Sequence, residues 1–189
     1  WERKRGKLEQ FNAYILHGIS TPFSVIAGRI DALRKCRFVV TADADTRLPH
    51  GVVRRLVGTL AHPLNKARFD PASGRVERGY TIIQPRVELA PDTTGQSLFS
   101  RFYGGDTAID IYSRAVSDVY QDLLGSGVFV GKGIYEVATF ERSLDGRAPE
   151  NTLLSHDLFE GLHGRAALAS DIIVYEGFPT GYLDFAWRW

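Results

Sequence analysis

The fold is decided by the stretch RFVVTADADT at residues 37–46. Its apolar and β-branched part, Phe38 to Ala42, predicts a strand buried on both faces of a parallel sheet. Two aspartates, Asp43 and Asp45, follow at the carboxyl end of that strand. Side chains alternate along an extended segment, so both carboxylates are predicted to point the same way. In open α/β sheets ligands bind at this edge.

The acidic pair predicts a cation site. Two neighbouring carboxylates repel each other unless a cation lies between them, and Mg²⁺ and Mn²⁺ prefer oxygen ligands. A cation held by few carboxylates completes its shell with substrate phosphates. Asp43 and Asp45 are therefore predicted to bind Mg²⁺ or Mn²⁺ together with the diphosphate of a nucleotide sugar. The alternative is structural, with both residues turning the chain and capping a helix predicted over 49–61.

Composition indicates one globular domain. The chain has 189 residues, 44% of them hydrophobic and 24% charged, which is enough for a sizeable core. The net charge of +1 argues neither for nor against a nucleic-acid partner; the sequence contains no basic stripe with interleaved aromatics, so no nucleic-acid partner is predicted. A single cysteine, Cys36, excludes an internal disulfide framework. Because the chain begins at Trp1 and contains no methionine, we expect it to be a piece of a longer protein.

Strand and helix patterns alternate along the chain. Apolar periodicity predicts helices, and short apolar runs predict strands. The predicted helices lie at 2–17, 49–61, 107–124, 134–141 and 155–167. The predicted strands lie at 38–42, 80–84, 128–130 and 171–175. This alternation predicts an α/β fold with a mostly parallel sheet covered by helices on both faces.

A second acidic position, Asp157, opens the predicted helix after Ser155. It is either an anion favoured by the helix dipole or a general base that deprotonates an acceptor hydroxyl. The same helix offers a rival site, since His156, Glu160 and His163 share one face. Two histidines at that spacing suit a zinc site, and a solvated polar stripe is the plainer interpretation.

The Gly131-Lys132-Gly133 segment lacks the length and the Ser or Thr of a phosphate-binding P-loop. Its glycines instead favour close approach of a substrate or of another backbone. Phe129 and Tyr135 flank it, and their rings suit either stacking on a sugar or packing in the core. Near the start, Lys7 and Asn12 are either contacts to a diphosphate or base, or ordinary helix residues.

Taken together, the motifs resemble the glycosyltransferase domain of cyclic β-1,2-glucan synthases, a relative of processive family-2 transferases such as cellulose synthase. The resemblance covers nearly the whole chain and rests on six segments. They are GKLEQFN at 6–12, TADAD at 41–45, QPR at 84–86, FVGKGIY at 129–135, SHDLFEG at 155–161 and YLDFA at 182–186. It implies a GT-A-like (Rossmann-like) fold truncated at both ends. The first strand would precede Trp1, and the Arg-Trp element that closes over the diphosphate would lie at or beyond Trp189.

The resemblance also implies an activity, an inverting transfer of glucose from UDP-glucose to a growing β-1,2-glucan chain. Asp157 matches the family's general base, although His156 replaces the glutamate that normally precedes it. The implied metal ligands are Asp43 and Asp45. The implied donor-binding residues are Lys7, Asn12, Asp43 and Asp45. The implied acceptor-binding residues are Phe129, Gly131, Gly133, Tyr135 and His156.

By the same resemblance, residues 1–189 are expected to form part of the catalytic domain of an integral membrane protein. That domain would lie at the cytoplasmic face of the bacterial inner membrane, with the remaining domains and transmembrane segments as partners. Two other classes stay open from the residues alone. A glycoside hydrolase also uses paired carboxylates around a glycosidic bond. A non-catalytic nucleotide-sugar-binding module would need the acidic pair but no base.

Overall fold

The computed structural model describes residues 3–18, 23–104, 119–147, 152–153 and 155–188. Within them the chain forms an α/β fold whose main sheet is flanked by helices. The strands, in chain order, are β1 (Phe38–Thr41), β2 (Arg68–Phe69), β3 (Val76–Arg78), β4 (Ile82–Leu89), β5 (Gly133–Glu136) and β6 (Ala166–Glu176). The described α-helices are α1 (Arg3–His17), α2 (Val52–Ala61), α3 (Leu98–Tyr103), α4 (Val119–Leu124), α5 (Val137–Leu144), α6 (His156–Gly164) and α7 (Tyr182–Arg188). A 3₁₀ helix, Ile30–Lys35, precedes β1.

The main sheet is mixed, so the prediction of a mostly parallel sheet is wrong. Its strand order is β1-β5-β4-β6, and only the β4–β6 pair is parallel. β5 runs antiparallel to both of its neighbours, β1 and β4. The pattern of apolar residues indicates whether a strand is buried but not in which direction it runs. The antiparallel direction of β5 could therefore not be predicted from the sequence. Because β5 opposes both neighbours, β1, β4 and β6 still point in one direction and end at the same edge.

Helices cover both faces of the sheet, as predicted. Side chains alternate along each strand, so neighbouring residues enter different cores. Ile83 and Ile134 pack with the apolar face of α2, whereas Ile82 and Tyr135 pack on the opposite face. The α2 core contains Val52, Leu56, Leu60, Ile83, Val87, Ile134, Ala167, Ala169, Ile172 and Val174. The opposite core contains Ile15, Ile82, Phe129, Tyr135, Val137, Phe140 and Ala166.

Several predicted boundaries need correction. The strand predicted at 128–130 is not formed; the nearby strand is β5, and the predicted 134–141 helix is displaced to α5. β4 continues through Pro85, where its register with β6 shifts, and β6 is about twice as long as predicted. Most of the helix predicted at 107–124 lies outside the described residues, and its end forms α4.

In the described part of the chain, no helix combines the length and the apolar character needed to span a membrane.

Candidate functional site

The site is centred on Asp43, two residues beyond the end of β1. The backbone N–H of Asp43 donates to Thr46 Oγ1 at 3.0 Å, and the Thr46 N–H donates back to the Asp43 carbonyl at 3.1 Å. The Thr46 hydroxyl in turn donates to Glu176 Oε1 at 3.2 Å, at the end of β6. Asp45 lies half-buried in the same turn. The ends of β1 and β6 are therefore joined at one edge of the sheet, as their common direction requires.

Two lysines hold the Asp43 carboxylate. Lys4 Nζ, in the first turn of α1, lies 3.0 Å from Oδ1, and Lys132 Nζ lies 3.3 Å from Oδ2. Partial burial by itself would raise the pKa of Asp43, but the hydrogen bond and the charge of Lys4, with those of Lys132, outweigh it and lower that pKa. Asp43 is therefore an anion at neutral pH.

Lys132 has a second and closer carboxylate. Its Nζ lies 2.6 Å from Glu176 Oε1. Burial opposes the charged form of Lys132, but Glu176 and then Asp43 outweigh burial and raise the pKa of Lys132. Two ammonium groups and two carboxylates thus form one charged cluster, defined here as Lys4, Asp43, Lys132 and Glu176.

Gly131 brings Asp157 to this cluster. The Gly131 carbonyl accepts a hydrogen bond from Lys4 Nζ at 2.8 Å. Its φ is +80°, and a Cβ at this position would lie 2.6 Å from Asp157 Oδ1. Only glycine leaves room for the carboxylate there and adopts this backbone conformation without strain. Asp157, distant in sequence from Asp43, is thereby placed against the residue that also binds Lys4.

The electrostatics of Asp157 differ from those of Asp43. Burial is the largest influence and raises the pKa of Asp157, and the nearby Asp43 charge acts in the same direction. His156, Lys4 and Lys132 oppose this increase without cancelling it. A carboxylate with a raised pKa is a better proton acceptor than an ordinary aspartate, which is the property a general base needs.

His156 lies beside the same carboxylate. Its Nε2 is 3.1 Å from Asp157 Oδ1, although the angles are not those of a hydrogen bond. This nitrogen is buried and has no hydrogen-bond partner within the residues that the structure describes. His156 therefore lies in direct contact with the Asp157 carboxylate.

Two polar residues of the predicted site, Asn12 and Tyr135, lie in the interior instead. Asn12 is fully buried; its Oδ1 accepts from the Tyr135 hydroxyl at 2.8 Å, and its Nδ2 donates to Glu141 Oε1 at 2.6 Å. Burial raises the pKa of Glu141 and that of Tyr135. In each case the hydrogen bond with Asn12 opposes this increase without cancelling it. In this structure Asn12 and Tyr135 connect α1, β5 and α5 rather than face the charged cluster.

The other predicted residues occupy supporting positions. Phe129 is buried under the close approach of Gly161, so its ring faces the core. Gly133 lies in β5 where a Cβ would meet the Ile83 carbonyl. Lys7 is exposed on α1, one turn after Lys4. The roles predicted for these residues, and for Asn12 and Tyr135, stay predictions.

No metal cluster is assembled within the described ranges, where no group of three or more His, Cys, Asp or Glu side chains could hold a metal ion. The zinc interpretation of His156, Glu160 and His163 therefore has no support there. A site with Asp43 and Asp45 as its protein ligands would depend on oxygens from a substrate to complete the coordination.

Three residues near the site were not among those predicted, Lys4, Lys132 and Glu176, and a fourth, Glu160, was predicted only as part of the zinc alternative. Glu176 directly follows the predicted strand 171–175, so the end-of-strand rule that selected Asp43 would also have selected it. The position of Lys132 between two glycines could have indicated a residue in close contact with a ligand or another backbone. Glu160 is buried one helical turn after Asp157, and burial, with the Asp157 charge, raises its pKa to about 8. No sequence pattern distinguishes Glu160 from an exposed helix residue.

Comparisons with known proteins bear on the kind of protein and not on individual site residues. No protein-family model matches the chain. The chain is 43% identical over 183 residues to the cyclic β-(1,2)-glucan synthase NdvB of Rhizobium meliloti (strain 1021). The chain is similar to a segment of a glucan synthase. The match covers 96% of the chain but only 6% of the synthase. The predicted resemblance to cyclic glucan synthases is confirmed at this level, and the relationship to family-2 transferases stays a prediction.

Proposed function

We propose that this chain is part of an inverting glycosyltransferase that moves glucose from UDP-glucose to a growing β-1,2-glucan chain. One observation carries the proposal: Gly131 and Lys4 bring Asp43, at the end of β1, and Asp157, at the start of α6, to one site. An ionised aspartate beside a more basic one supplies both a donor-binding group and a proton acceptor. The similarity to NdvB favours glycosyl transfer to glucan over other uses of such a pair.

At the donor end, Asp43 and Asp45 would hold Mg²⁺ or Mn²⁺. The donor set fits, since it consists of carboxylate oxygens, and the Asp43 side chain is ionised and 46% exposed. When bound, the cation would neutralise charge on the departing diphosphate. Lys4 contacts one oxygen of the Asp43 carboxylate and Lys132 contacts the other. The carboxylate is therefore oriented before a sugar nucleotide binds.

At the acceptor end, Asp157 takes the proton from the 2-hydroxyl of the terminal sugar. The hydroxyl oxygen forms a bond to the anomeric carbon from the face opposite UDP, and the bond to the diphosphate oxygen breaks. UDP leaves with the electron pair. A general base contributes about 10²–10⁴-fold to such a reaction, and positioning and electrostatics supply the rest. His156, next to Oδ1, orients Asp157 for this transfer.

The similarity to a segment of NdvB also guides the setting. We place this chain in a longer protein with further domains and transmembrane segments. Its site would face the cytoplasm, where nucleotide sugars are made.

The Asp157→Asn variant tests the proposal. Asparagine keeps the shape of the side chain but cannot accept the proton, so transfer from UDP-glucose to a β-1,2-gluco-oligosaccharide should fall about 10²–10⁴-fold. UDP affinity, measured by calorimetric titration, should stay unchanged. Asp31→Asn, in the exposed 3₁₀ helix before β1, is the matched control and should alter neither property.

Two outcomes would contradict the proposal. Full transfer activity in Asp157→Asn would show that Asp157 is not the general base. Loss of UDP binding in a folded Asp157→Asn chain would instead make this residue part of the donor site.

A further inference from the structure

Lys132 lies next to Asp43 but has no role in the proposed reaction as described. It lies between the two glycines of the 131–133 segment, and its side chain is 16% exposed. Its Nζ contacts carboxylates from two different strand ends, Glu176 after β6 at 2.6 Å and Asp43 after β1 at 3.3 Å. A lysine held so firmly at the edge where the donor would bind is positioned before the ligand arrives.

We propose that Lys132 is a diphosphate-binding residue, fixed in place by Glu176. This inference rests on the proposed function and extends it to a residue that neither the sequence motifs nor the comparisons assign. It identifies the ligand group as the pyrophosphate of a nucleoside diphosphate.

The hydrogen-bonding capacity of the ammonium group supports this role. A lysine ammonium has three N–H donors and no acceptor. Within the described residues, Lys132 Nζ contacts two carboxylates, so one donor remains for an oxygen of a ligand. Lys4 Nζ is arranged in the same way, with contacts to Asp43 Oδ1 and the Gly131 carbonyl. The Asp43 turn therefore has cationic donors on both sides.

The charge of the cluster is compatible with an anionic ligand. Its two lysines balance the carboxylates of Asp43 and Glu176, so the Asp43 carboxylate does not present a bare negative charge to an approaching diphosphate. Glu176 has a separate task. Because the Thr46 hydroxyl and Lys132 share its Oε1, Glu176 keeps the lysine next to the Asp43 turn. Removing Glu176 should loosen Lys132 without removing its charge.

The test compares UDP binding in four forms of this chain by calorimetric titration. Lys132→Gln removes the charge at similar length and should weaken UDP binding about ten- to a hundredfold, the range of a charged hydrogen bond. Lys132→Arg keeps the charge and should retain most of the affinity. Lys35→Gln removes an exposed lysine from the far end of β1 and should bind UDP as the unaltered chain does.

Competition separates ligand contact from a structural role. Inorganic pyrophosphate and uridine are each titrated as competitors of UDP, and the diphosphate contact predicts that Lys132→Gln weakens the binding of pyrophosphate but not that of uridine. Equal weakening of pyrophosphate and uridine would overturn the proposal, because it would mean a general disturbance of the site. Unchanged UDP affinity in Lys132→Gln would overturn it while leaving the proposed function intact. Failure of the unaltered chain to bind UDP would overturn the proposed function, and the role of Lys132 with it.

Discussion

Two polar regions of this molecule contain the same kinds of side chain and treat them in opposite ways. In the charged cluster at the sheet edge, each carboxylate has an ammonium partner, and the pKa of Asp43 is lowered. In the region behind β5, Glu160 is buried and Glu141 is partly buried, and the pKa values of both are raised. Burial is the largest influence on both glutamates and favours the uncharged acid, and the charge of Arg5 opposes this increase without cancelling it.

Asp157 lies at the boundary between these regions. It shares burial with Glu160, one turn away, and it shares the influence of Lys4 and Lys132 with Asp43. The net result is a raised pKa beside an ionised neighbour. Divergent pKa values in adjacent carboxyl groups are the usual basis for assigning different roles to them. The region around Glu141 and Glu160 is therefore structural, whereas the sheet edge around Asp43 and Asp157 is reactive. Mutations in the two regions should have different effects.

The largest effect is expected from the pH dependence of Glu160. Its pKa of about 8 in the folded chain, against 4.5 when unperturbed, means that the folded state holds the proton more tightly. The free energy of unfolding should therefore be highest below pH 4.5 as far as this group is concerned, and should fall as pH rises towards 8. The loss between pH 5 and 9 should be at most about 4 kcal/mol.

Urea unfolding at pH 5, 7 and 9 measures this loss. Glu160→Gln cannot ionise, so its free energy of unfolding should change less over that range. Asp157 and Glu141 have raised pKa values as well and leave a residual slope of the same sign. Identical slopes in the variant and the unaltered chain would show that Glu160 is ionised at neutral pH, which would contradict a raised pKa for this group.

The next effect distinguishes Asn12 from Asp43. Asn12→Ala strands the Tyr135 hydroxyl and the Glu141 carboxyl in the interior, and should lower the free energy of unfolding by about 2–3 kcal/mol. Asp43→Asn removes a half-exposed ion pair and should change it by less than about 1 kcal/mol. Chemical denaturation measures both. A larger loss for Asp43→Asn than for Asn12→Ala would reverse the assignment of interior and edge.

The smallest effect concerns Gly131, with Gly51 as the matched control. Both have left-handed backbones, with φ of +80° and +82°, but only a Cβ at Gly131 would meet a neighbour, the Asp157 carboxylate. Gly131→Ala and Gly51→Ala should each cost about 1–2 kcal/mol of stability. Only Gly131→Ala should also reduce transfer, by tenfold or more, because it displaces the base. Equal activity of the two variants would show that Asp157 does not depend on this contact.

The sequence predicted the elements better than their arrangement. β1, α1 and α2 lie within three residues of the predicted bounds, because their apolar periodicity reports burial directly. The direction of β5 could not be predicted, since its four residues, Gly133–Glu136, form no pattern that distinguishes a parallel strand from an antiparallel one. Pro85 also misled the prediction, because a proline inside a strand is unusual and β4 accommodates it at a shift of register.

For the site, the sequence identified the acidic residues better than their partners. Asp43 and Asp157 were selected by their positions at element ends, and the structure brings both to one edge. Lys4 and Lys132 were not predicted as site residues, because each contacts Asp43 from a distant part of the sequence, 39 and 89 residues away. The burial of Asn12 and Tyr135 was equally hidden, since polar helix residues and strand tyrosines occur in both environments.

The most direct test of the central claim is a calorimetric titration of UDP with and without Mn²⁺, on this chain and on Asp45→Ala. Mn²⁺ should tighten UDP binding in the unaltered chain and should have no such effect in Asp45→Ala. UDP affinity that is independent of Mn²⁺ in both forms would contradict a metal-diphosphate site at Asp43 and Asp45. Absence of UDP binding by a folded chain would contradict the nucleotide-sugar assignment itself.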